Sequence, residues 1–144
     1  MKRTLTTLIA ALLTLAAPLI ARSADTDTPF STVIAGSCLP EDVAVVGVVH
    51  TSTHVTELQG GGIRIDITDK VKGEATGLSS GVKYVVGGKT TQRFILSSDT
   101  LESFSYKSGF TLIGPGPSNN LTITYIFKQT PEGVIVDNFN AECK

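Results

Sequence analysis

Two histidines are the first side chains in this sequence whose type and spacing could do acid–base or metal chemistry. His50 and His54 are the only histidines among the 144 residues, and they lie in the segment VVHTSTHV. On a helix this spacing would let both rings hold one metal ion, but a segment rich in Val and Thr predicts a strand. Four residues of strand span about 13 Å. We therefore expect the two rings to share a strand face without sharing a metal ion.

The face that carries these histidines has two interpretations. Val46 and Val48 precede His50 at the period of two that puts strand residues on one face. In the first interpretation, both histidines are half-exposed strand residues that make separate polar contacts. In the second, the face formed by Val46, Val48, His50 and His54 lines a ligand pocket.

Three tyrosines are the second set of candidate ligand contacts. Tyr84, Tyr106 and Tyr125 fall on the apolar faces of predicted strands, together with most of the phenylalanines. A phenol gives an apolar pocket one polar group, although most aromatic residues at such positions pack in the core. The sequence thus predicts either a filled core or a small cavity. The candidate ligand-binding residues are His50, His54, Tyr84, Tyr106 and Tyr125.

No motif in the sequence predicts a catalytic residue, a cofactor or a metal site. A G-x-S-x-G nucleophile motif is absent. The Gly-x-Gly at Gly114–Gly116 is followed by Pro117 and a predicted strand, and not by the helix whose N-terminus would hold a phosphate. We therefore expect no catalytic residue. A small secreted enzyme that uses His50 or His54 as its acid–base group is the alternative.

The two cysteines, Cys38 and Cys143, predict one disulfide. They lie far apart in the sequence, and metal-binding or reactive thiol pairs favour the close C-x-x-C spacing. A bridge that closes a loop of about 100 residues stabilises a fold by about 4.7 kcal/mol in the chain-entropy model. We expect it to tie the entry of the first long strand to the exit of the last.

The N-terminal segment has the pattern of a secretion signal. Two basic residues precede an apolar run at 5–20, and small residues follow, with cleavage expected after Ser23 or after Ala21. Pro18 interrupts the run, which argues against a membrane anchor. The sequence predicts a signal peptide at 1–23, an N-terminal arm at 24–40 and a single domain at 41–144. The product would be exported to the periplasm or the extracellular space, where disulfides persist.

Charge limits the partners of the exported chain. Three of the twelve basic residues leave with the signal, whereas all thirteen acidic residues stay. A mildly acidic surface with scattered bases argues against nucleic acid, which needs clustered positive charge, and against docking on anionic lipid. We expect an unknown small ligand or a protein partner, and no membrane span in the mature form.

From Glu41 onward, the chain shows the alternation of apolar and polar residues that is typical of strands. Short turns rich in Gly, Pro, Ser and Asn separate the alternating runs, so neighbouring strands should be antiparallel. The prediction is an all-β antiparallel meander of about seven or eight strands, with a closed or nearly closed barrel favoured over a two-sheet sandwich. The predicted strands are 42–57, 62–76, 82–87, 90–97, 101–113, 120–129 and 133–142.

Three segments resemble a group of small exported bacterial β proteins of unknown function. They are the pattern VxGxxHxxxHV from Val45 to Val55, the segment FTLIGPGPSNN from Phe110 to Asn120, and the ending DNFxxEC from Asp137 to Cys143. The resemblance implies export and an all-β fold, and it assigns no activity to any residue.

These observations together predict an exported, soluble binding or interaction module. Its partner would be a small apolar ligand or a protein. Apart from the enzymatic alternative, a structural, surface-associated protein is the remaining possibility.

Overall fold

A computed structural model describes residues 22–35, 39–98, 100–116 and 120–143. These residues form seven antiparallel strands in one sheet, in the order of the sequence, and the described part of the chain contains no helix. The all-β meander is therefore confirmed. The strands are β1 (Arg22–Ile34), β2 (Val43–Glu57), β3 (Gly62–Gly77), β4 (Lys83–Ser97), β5 (Thr100–Ile113), β6 (Asn120–Thr130) and β7 (Gly133–Cys143).

The sheet is open. β1 and β7 are its two edges and are not neighbours in the strand order, so closure into a barrel is not confirmed. Within the described ranges there is one sheet, and the second layer of a sandwich is not seen. Pro29 lies in the middle of edge strand β1, where it faces Val48 of β2. No helix among the described residues is long and apolar enough to cross a membrane.

Strand β1 covers most of the segment expected to be an arm. It pairs with β2 along its whole length, from Arg22 opposite Val55 to Ile34 opposite Val43. The polar residues of the expected arm therefore belong to an edge strand. Pairing with β2 satisfies their backbone groups, which is why a segment of weak strand propensity is ordered here.

Strand β4 corrects one boundary. The sequence predicted separate strands at 82–87 and 90–97, divided by a turn at Gly87-Gly88-Lys89, but β4 runs unbroken through all three residues. Gly88 faces Val71 on β3 and Phe110 on β5. A Cβ added at Gly88 would lie 3.5 Å from side-chain atoms of both residues and 3.0 Å from the Gly109 carbonyl oxygen. Gly88 thus serves close packing between strands, and the two glycines do not make a turn.

The expected turns at the other glycines are present. Between β2 and β3, the Leu58 amide donates to the Gly62 carbonyl at 2.7 Å, and Gly60 and Gly61 have φ of 99° and 87°. These values lie in the left-handed region, which glycine adopts without steric cost. Gly81, with φ of 70°, completes the turn between β3 and β4.

The strand register divides the side chains between two faces. Side chains of paired residues point to the same side of a sheet, and successive residues alternate. Val45 of β2 is opposite Ala75 of β3, which is opposite Tyr84 of β4, and this row belongs to what we call the apolar face. By the same register, all nine aromatic residues of the chain lie on the apolar face. They are Phe30, Tyr84, Phe94, Phe104, Tyr106, Phe110, Tyr125, Phe127 and Phe139.

The buried core occupies one end of the apolar face, which we call the core end. It is where β2, β4 and β6 begin and β3, β5 and β7 end. Val43, Val45 and Leu112 are fully buried there. The complete set of buried apolar residues is Leu39, Val43, Val45, Ala75, Tyr84, Val86, Leu112 and Leu121.

The core also bears on the predicted disulfide. Leu39 packs in the same cluster as Leu121, and Leu121 is the strand partner of Cys143. The residue after Cys38 and the partner of Cys143 therefore share one cluster. Cys38 itself lies outside the described residues, as does the apolar run 5–20 of the expected signal, so the disulfide and the signal stay predictions.

Glycines on β2 and β3 lie where the core end meets the rest of the sheet. Gly47 is opposite Gly73. A Cβ added at Gly47 would lie 2.5 Å from the Lys72 carbonyl oxygen and 2.9 Å from the Gly73 Cα. Such close backbone approach indicates strong local curvature, which only glycine permits.

Candidate functional site

Six aromatic rings form a continuous patch on the apolar face, at the end away from the core. Phe94 and Phe104 have ring centroids 4.8 Å apart, and Phe104 is 6.0 Å from Phe127. Tyr125 then lies 5.6 Å from Tyr106. These separations are typical of favourable aromatic pairs. This aromatic patch consists of Phe94, Phe104, Tyr106, Tyr125, Phe127 and Phe139.

The patch is uncovered by other described parts of the chain. Phe139, on edge strand β7, is 65% exposed although its ring lies 6.4 Å from that of Tyr125. Four of the rings line a shallow hollow of about 250 Å³. Its lining residues are Phe104, Tyr106, Tyr125 and Phe127.

A carboxylate gives the patch a polar margin. Asp137 is opposite Phe127 in the register, and Phe127 is opposite Tyr106. Partial desolvation among the rings raises the pKa of the Tyr125 phenol above its ordinary value of 10.0, and the hydrogen bond that the phenol donates to Asp137 raises it further. The phenol therefore stays protonated at neutral pH and remains a donor beside the apolar hollow.

A belt of polar side chains runs along the apolar face on β2 to β5, between the core and the aromatic patch. Thr51 Oγ1 donates to Asp69 Oδ1 at 2.7 Å, and the hydroxyl oxygens of Thr90 and Ser108 are 2.9 Å apart. Gln92 belongs to the same face, beside Thr90. On these strands the belt lies between the buried core and the aromatic patch, whereas on β6 Tyr125 directly follows Ile123, which packs against the core.

The structure brings together only two of the three tyrosine candidates. Tyr106 and Tyr125 are neighbours in the aromatic patch. Tyr84 shares their face but lies at the core end, where it is 2% exposed. Its place is the one expected of a core aromatic residue.

The two histidines lie on the opposite face from the tyrosines. His50 Nδ1 is 2.6 Å from Asp27 Oδ1 of β1, and both side chains are exposed. His50 borders an open groove of about 410 Å³ that it shares with Asp27, Val48, Lys70 and Lys72. His54 is exposed and opposite Asp66 in the register. The five candidate residues thus occupy three separate places: the aromatic patch, the core end and the opposite face.

That opposite face holds eight of the nine Lys and Arg residues that the structure describes, all but Arg22, and we call it the basic face. The bases are not scattered: every Lys and Arg between Arg22 and Lys144 lies on this face by the register. They come from four neighbouring strands, β3 to β6. They are Arg64, Lys70, Lys72, Lys83, Lys89, Arg93, Lys107 and Lys128.

No group of three or more His, Cys, Asp or Glu side chains among the described residues is arranged to hold an ion. The acidic side chain with the most contacts, Glu41, has a structural use instead. It accepts hydrogen bonds from the amides of Ser79 and Ser80, at 2.6 and 2.9 Å, and from the Ser80 hydroxyl.

Comparison with protein-family models, with curated proteins and with solved structures finds no match to this chain. The resemblance to small exported bacterial β proteins therefore stays a prediction, and function must be argued from the two faces of the sheet.

Sequence reasoning missed two parts of these faces. Phe139 and Asp137 were placed in the last strand, but neither was connected with Tyr125, because pairing between β6 and β7 was needed to do so. The lysines were counted as a total charge. Within each of the strands β3 to β6, the Lys and Arg residues alternate with the apolar residues, and this pattern is visible in the sequence. It could have predicted that they lie on the face opposite the apolar one.

Proposed function

We propose that this protein is an exported binding module that holds a small apolar ligand on its aromatic patch. The observation that supports the proposal is a set of six rings on a sheet face that no other described segment covers, with Phe139 65% exposed. Exposed apolar surface of this kind marks binding sites on proteins. The Tyr125 phenol and Asp137 add the few polar groups that orient a ligand in an apolar site.

A neutral apolar dye, N-phenyl-1-naphthylamine, tests the site without a known ligand. Its fluorescence rises when it enters an apolar environment, and its lack of charge keeps it from reporting on the lysines of the other face. We expect saturable binding to the wild-type protein. Phe139→Ser should weaken it about tenfold, since burying an aromatic side chain is worth about 1.5–3 kcal/mol when burial is complete.

Val134→Ser is the matched control for this experiment. Val134 lies on the same strand and is 58% exposed, but it takes part in none of the ring contacts of the patch. The control should bind the dye like the wild type. Equal loss in both variants, or no saturable binding at all, would overturn the aromatic patch as the ligand site.

Export and the Cys38–Cys143 disulfide are part of the proposal. The shared cluster of Leu39 and Leu121 supports the bridge, because it brings the neighbours of the two cysteines together. The mass of the exported protein should rise by that of two hydrogens on reduction. Its N-terminus should begin after Ser23 or Ala21. Two thiols that react with an alkylating reagent before reduction would contradict the bridge.

A further inference from the structure

We propose that the basic face docks on the surface of an anionic lipid bilayer, an interaction that the total charge of the sequence argued against and that the gathering of the bases on one face favours. This contact is peripheral, and it is independent of the aromatic patch, which lies on the other side of the sheet. The inference depends on three features of the basic face: the concentration of charge, the lysines that form no ion pair with another described residue, and the exposed aliphatic residues beside them.

The charge on the basic face is strongly of one sign. Its bases come from all of β3, β4, β5 and β6, whereas the acidic residues on that face of the same strands are Asp66 and Glu74. Asp66 is already occupied, because it pairs with Arg64 at 2.9 Å and with Arg93 at 2.6 Å. Among the described residues, the other acids that the register places on this face are Asp25 and Asp27 on edge strand β1 and Glu142 on edge strand β7, and Asp27 borders the same groove as Lys70 and Lys72.

Five exposed lysines carry the remaining charge. None takes part in the ion pairs found among the described residues. Lys70 and Lys89 are even directly opposite each other on neighbouring strands. Like charges in that position destabilise a sheet, so the arrangement is unfavourable for the isolated protein and favourable against an anionic partner. The five are Lys70, Lys72, Lys89, Lys107 and Lys128.

Exposed aliphatic side chains border the lysines. Val85 is 65% exposed, Val46 57% and Ile113 53%. They form one row across the basic face, because Glu74 is opposite both Val46 and Val85, and Val85 is opposite Ile113. Val48 lies in the next row, opposite Lys72. Apolar side chains beside clustered bases suit a bilayer surface, where the first enter the acyl boundary and the second contact phosphates.

The same face is poorly suited to nucleic acid. Proteins that bind single strands stack the bases on aromatic side chains. All nine aromatic residues of this chain lie on the apolar face, so the basic face offers no stacking platform. The bases also form a two-dimensional array, roughly 14 Å across four strands and 27 Å along β3, whereas a single strand follows a narrow groove.

Between the lysines lie hollows that could receive lipid headgroups. One of about 600 Å³ is bordered by Lys89 and Lys107, with Thr91 and Thr124 beside them. Gly109 forms part of its floor, and nothing lies within 4 Å of where a Cβ would be. Two ammonium groups and two hydroxyls around an open floor match the donors that a phosphate diester accepts.

Vesicle co-sedimentation tests the proposal directly. The exported protein is mixed with vesicles of phosphatidylcholine alone or of phosphatidylcholine with phosphatidylglycerol. We expect binding to the second kind only, weakened by sodium chloride because salt screens exposed charges. The double variant Lys89→Gln/Lys107→Gln should bind about 30-fold more weakly, from about 1 kcal/mol per base at an anionic surface.

The matched control changes the net charge by the same amount at a different place. Gln59→Glu/Thr100→Glu alters exposed residues at the far turns of the sheet. It should keep nearly wild-type binding. Val85→Ser should weaken binding to the anionic vesicles, whereas Val134→Ser should not.

Several outcomes would overturn the lipid assignment. They are equal binding to both kinds of vesicle, equal loss in the two charge variants, and displacement by inorganic phosphate that is much stronger than by sodium chloride at the same ionic strength, which would indicate a site for a free anion. Binding of an oligothymidylate in place of the vesicles would assign the face to nucleic acid. Dye binding at the aromatic patch should be the same in the lysine variants, so failure of either proposal leaves the other intact.

Discussion

The two ends of the apolar face have the same residue alternation and different surroundings. At the core end, Val43, Val45 and Leu112 are fully buried. In the aromatic patch, larger side chains cover one another only in part, and Phe139 is 65% exposed. A sheet gains stability where its apolar side chains leave water. The comparison teaches that the core end holds the fold together, whereas the aromatic patch leaves apolar surface available for a ligand.

The largest effect is expected at the core end. Leu112→Ala should lower the free energy of unfolding by about 2–5 kcal/mol, because it leaves a cavity among packed neighbours. Denaturant unfolding followed by circular dichroism measures this. The exposed Leu101, at 40%, provides the control: Leu101→Ala should change the same quantity by no more than about 0.5 kcal/mol. Equal losses would mean that the core end is not the centre of stability.

The next effect concerns the boundary of the core end. Gly47→Ala should cost about 1–3 kcal/mol of unfolding free energy, since the new methyl group would meet the backbone of β3 and the strands would have to separate. Gly109→Ala is the control, because a Cβ there has nothing within 4 Å. If Gly47→Ala were as stable as Gly109→Ala, the strong curvature between β2 and β3 would be refuted.

A smaller loss of stability is expected in the aromatic patch. Phe139→Ser removes one ring contact, with Tyr125, and should lower the unfolding free energy by less than about 1 kcal/mol. Its effect on dye binding should be much larger than its effect on stability. Leu112→Ala should lower the free energy of unfolding strongly, while the protein that is still folded binds the dye nearly like the wild type. A loss of stability in Phe139→Ser as large as in Leu112→Ala would abolish the distinction between the two ends.

The smallest effect is expected at the turn beside the core end. Hydrogen bonds from the Ser80 hydroxyl, the Ser80 amide and the Ser79 amide, in that order, hold the pKa of Glu41 below its ordinary value of 4.5. A carboxyl whose pKa is lower in the folded state stabilises the fold above its unfolded pKa, and loses this effect as pH falls through the folded value. Glu41→Gln should therefore be less stable than the wild type at neutral pH, and the difference should narrow below pH 4.5.

Ser80→Ala serves as the companion variant for that measurement. It removes the contact with the largest influence on the Glu41 pKa, so it should reproduce part of the pH dependence. The double variant should lose less than the sum of the two single variants, because the two residues act on one interaction. Strict additivity would mean that the contact does not stabilise the turn.

Most of the fold could be predicted from the alternation of apolar and polar residues, and one pair of residues shows where this pattern fails. Period two along residues such as Ile63, Ile65 and Ile67 identifies a strand and its apolar face without any knowledge of partners. The pattern fails at Gly87-Gly88, because two consecutive glycines occur both in turns and in strands that pack closely, and the sequence pattern does not distinguish these cases. Only Val71 and Phe110, distant in sequence, distinguish the two cases.

The candidate site was less predictable, because it depends on register. Tyr84, Tyr106 and Tyr125 share one face by parity, yet Tyr84 belongs to the core and the other two to the patch. The position of a tyrosine along its strand decides whether it lies in the core or in the patch. Which residues of the neighbouring strands lie beside it depends on the strand register, which the sequence does not show. The same holds for Lys70 and Lys89, whose proximity arises from pairing between β3 and β4.

The proline of β1 has a consequence for how copies of this sheet could associate. Proline is tolerated in an edge strand where its missing N–H faces outward, so Pro29 deprives that edge of a donor in the middle of its length. β7 contains no proline and keeps its donors. Two copies joined through their β7 strands would present only proline-bearing edges to the solvent. Strand addition between copies would then stop at a dimer, because the missing donor at Pro29 hinders pairing at the two remaining β1 edges and so prevents growth into a fibre.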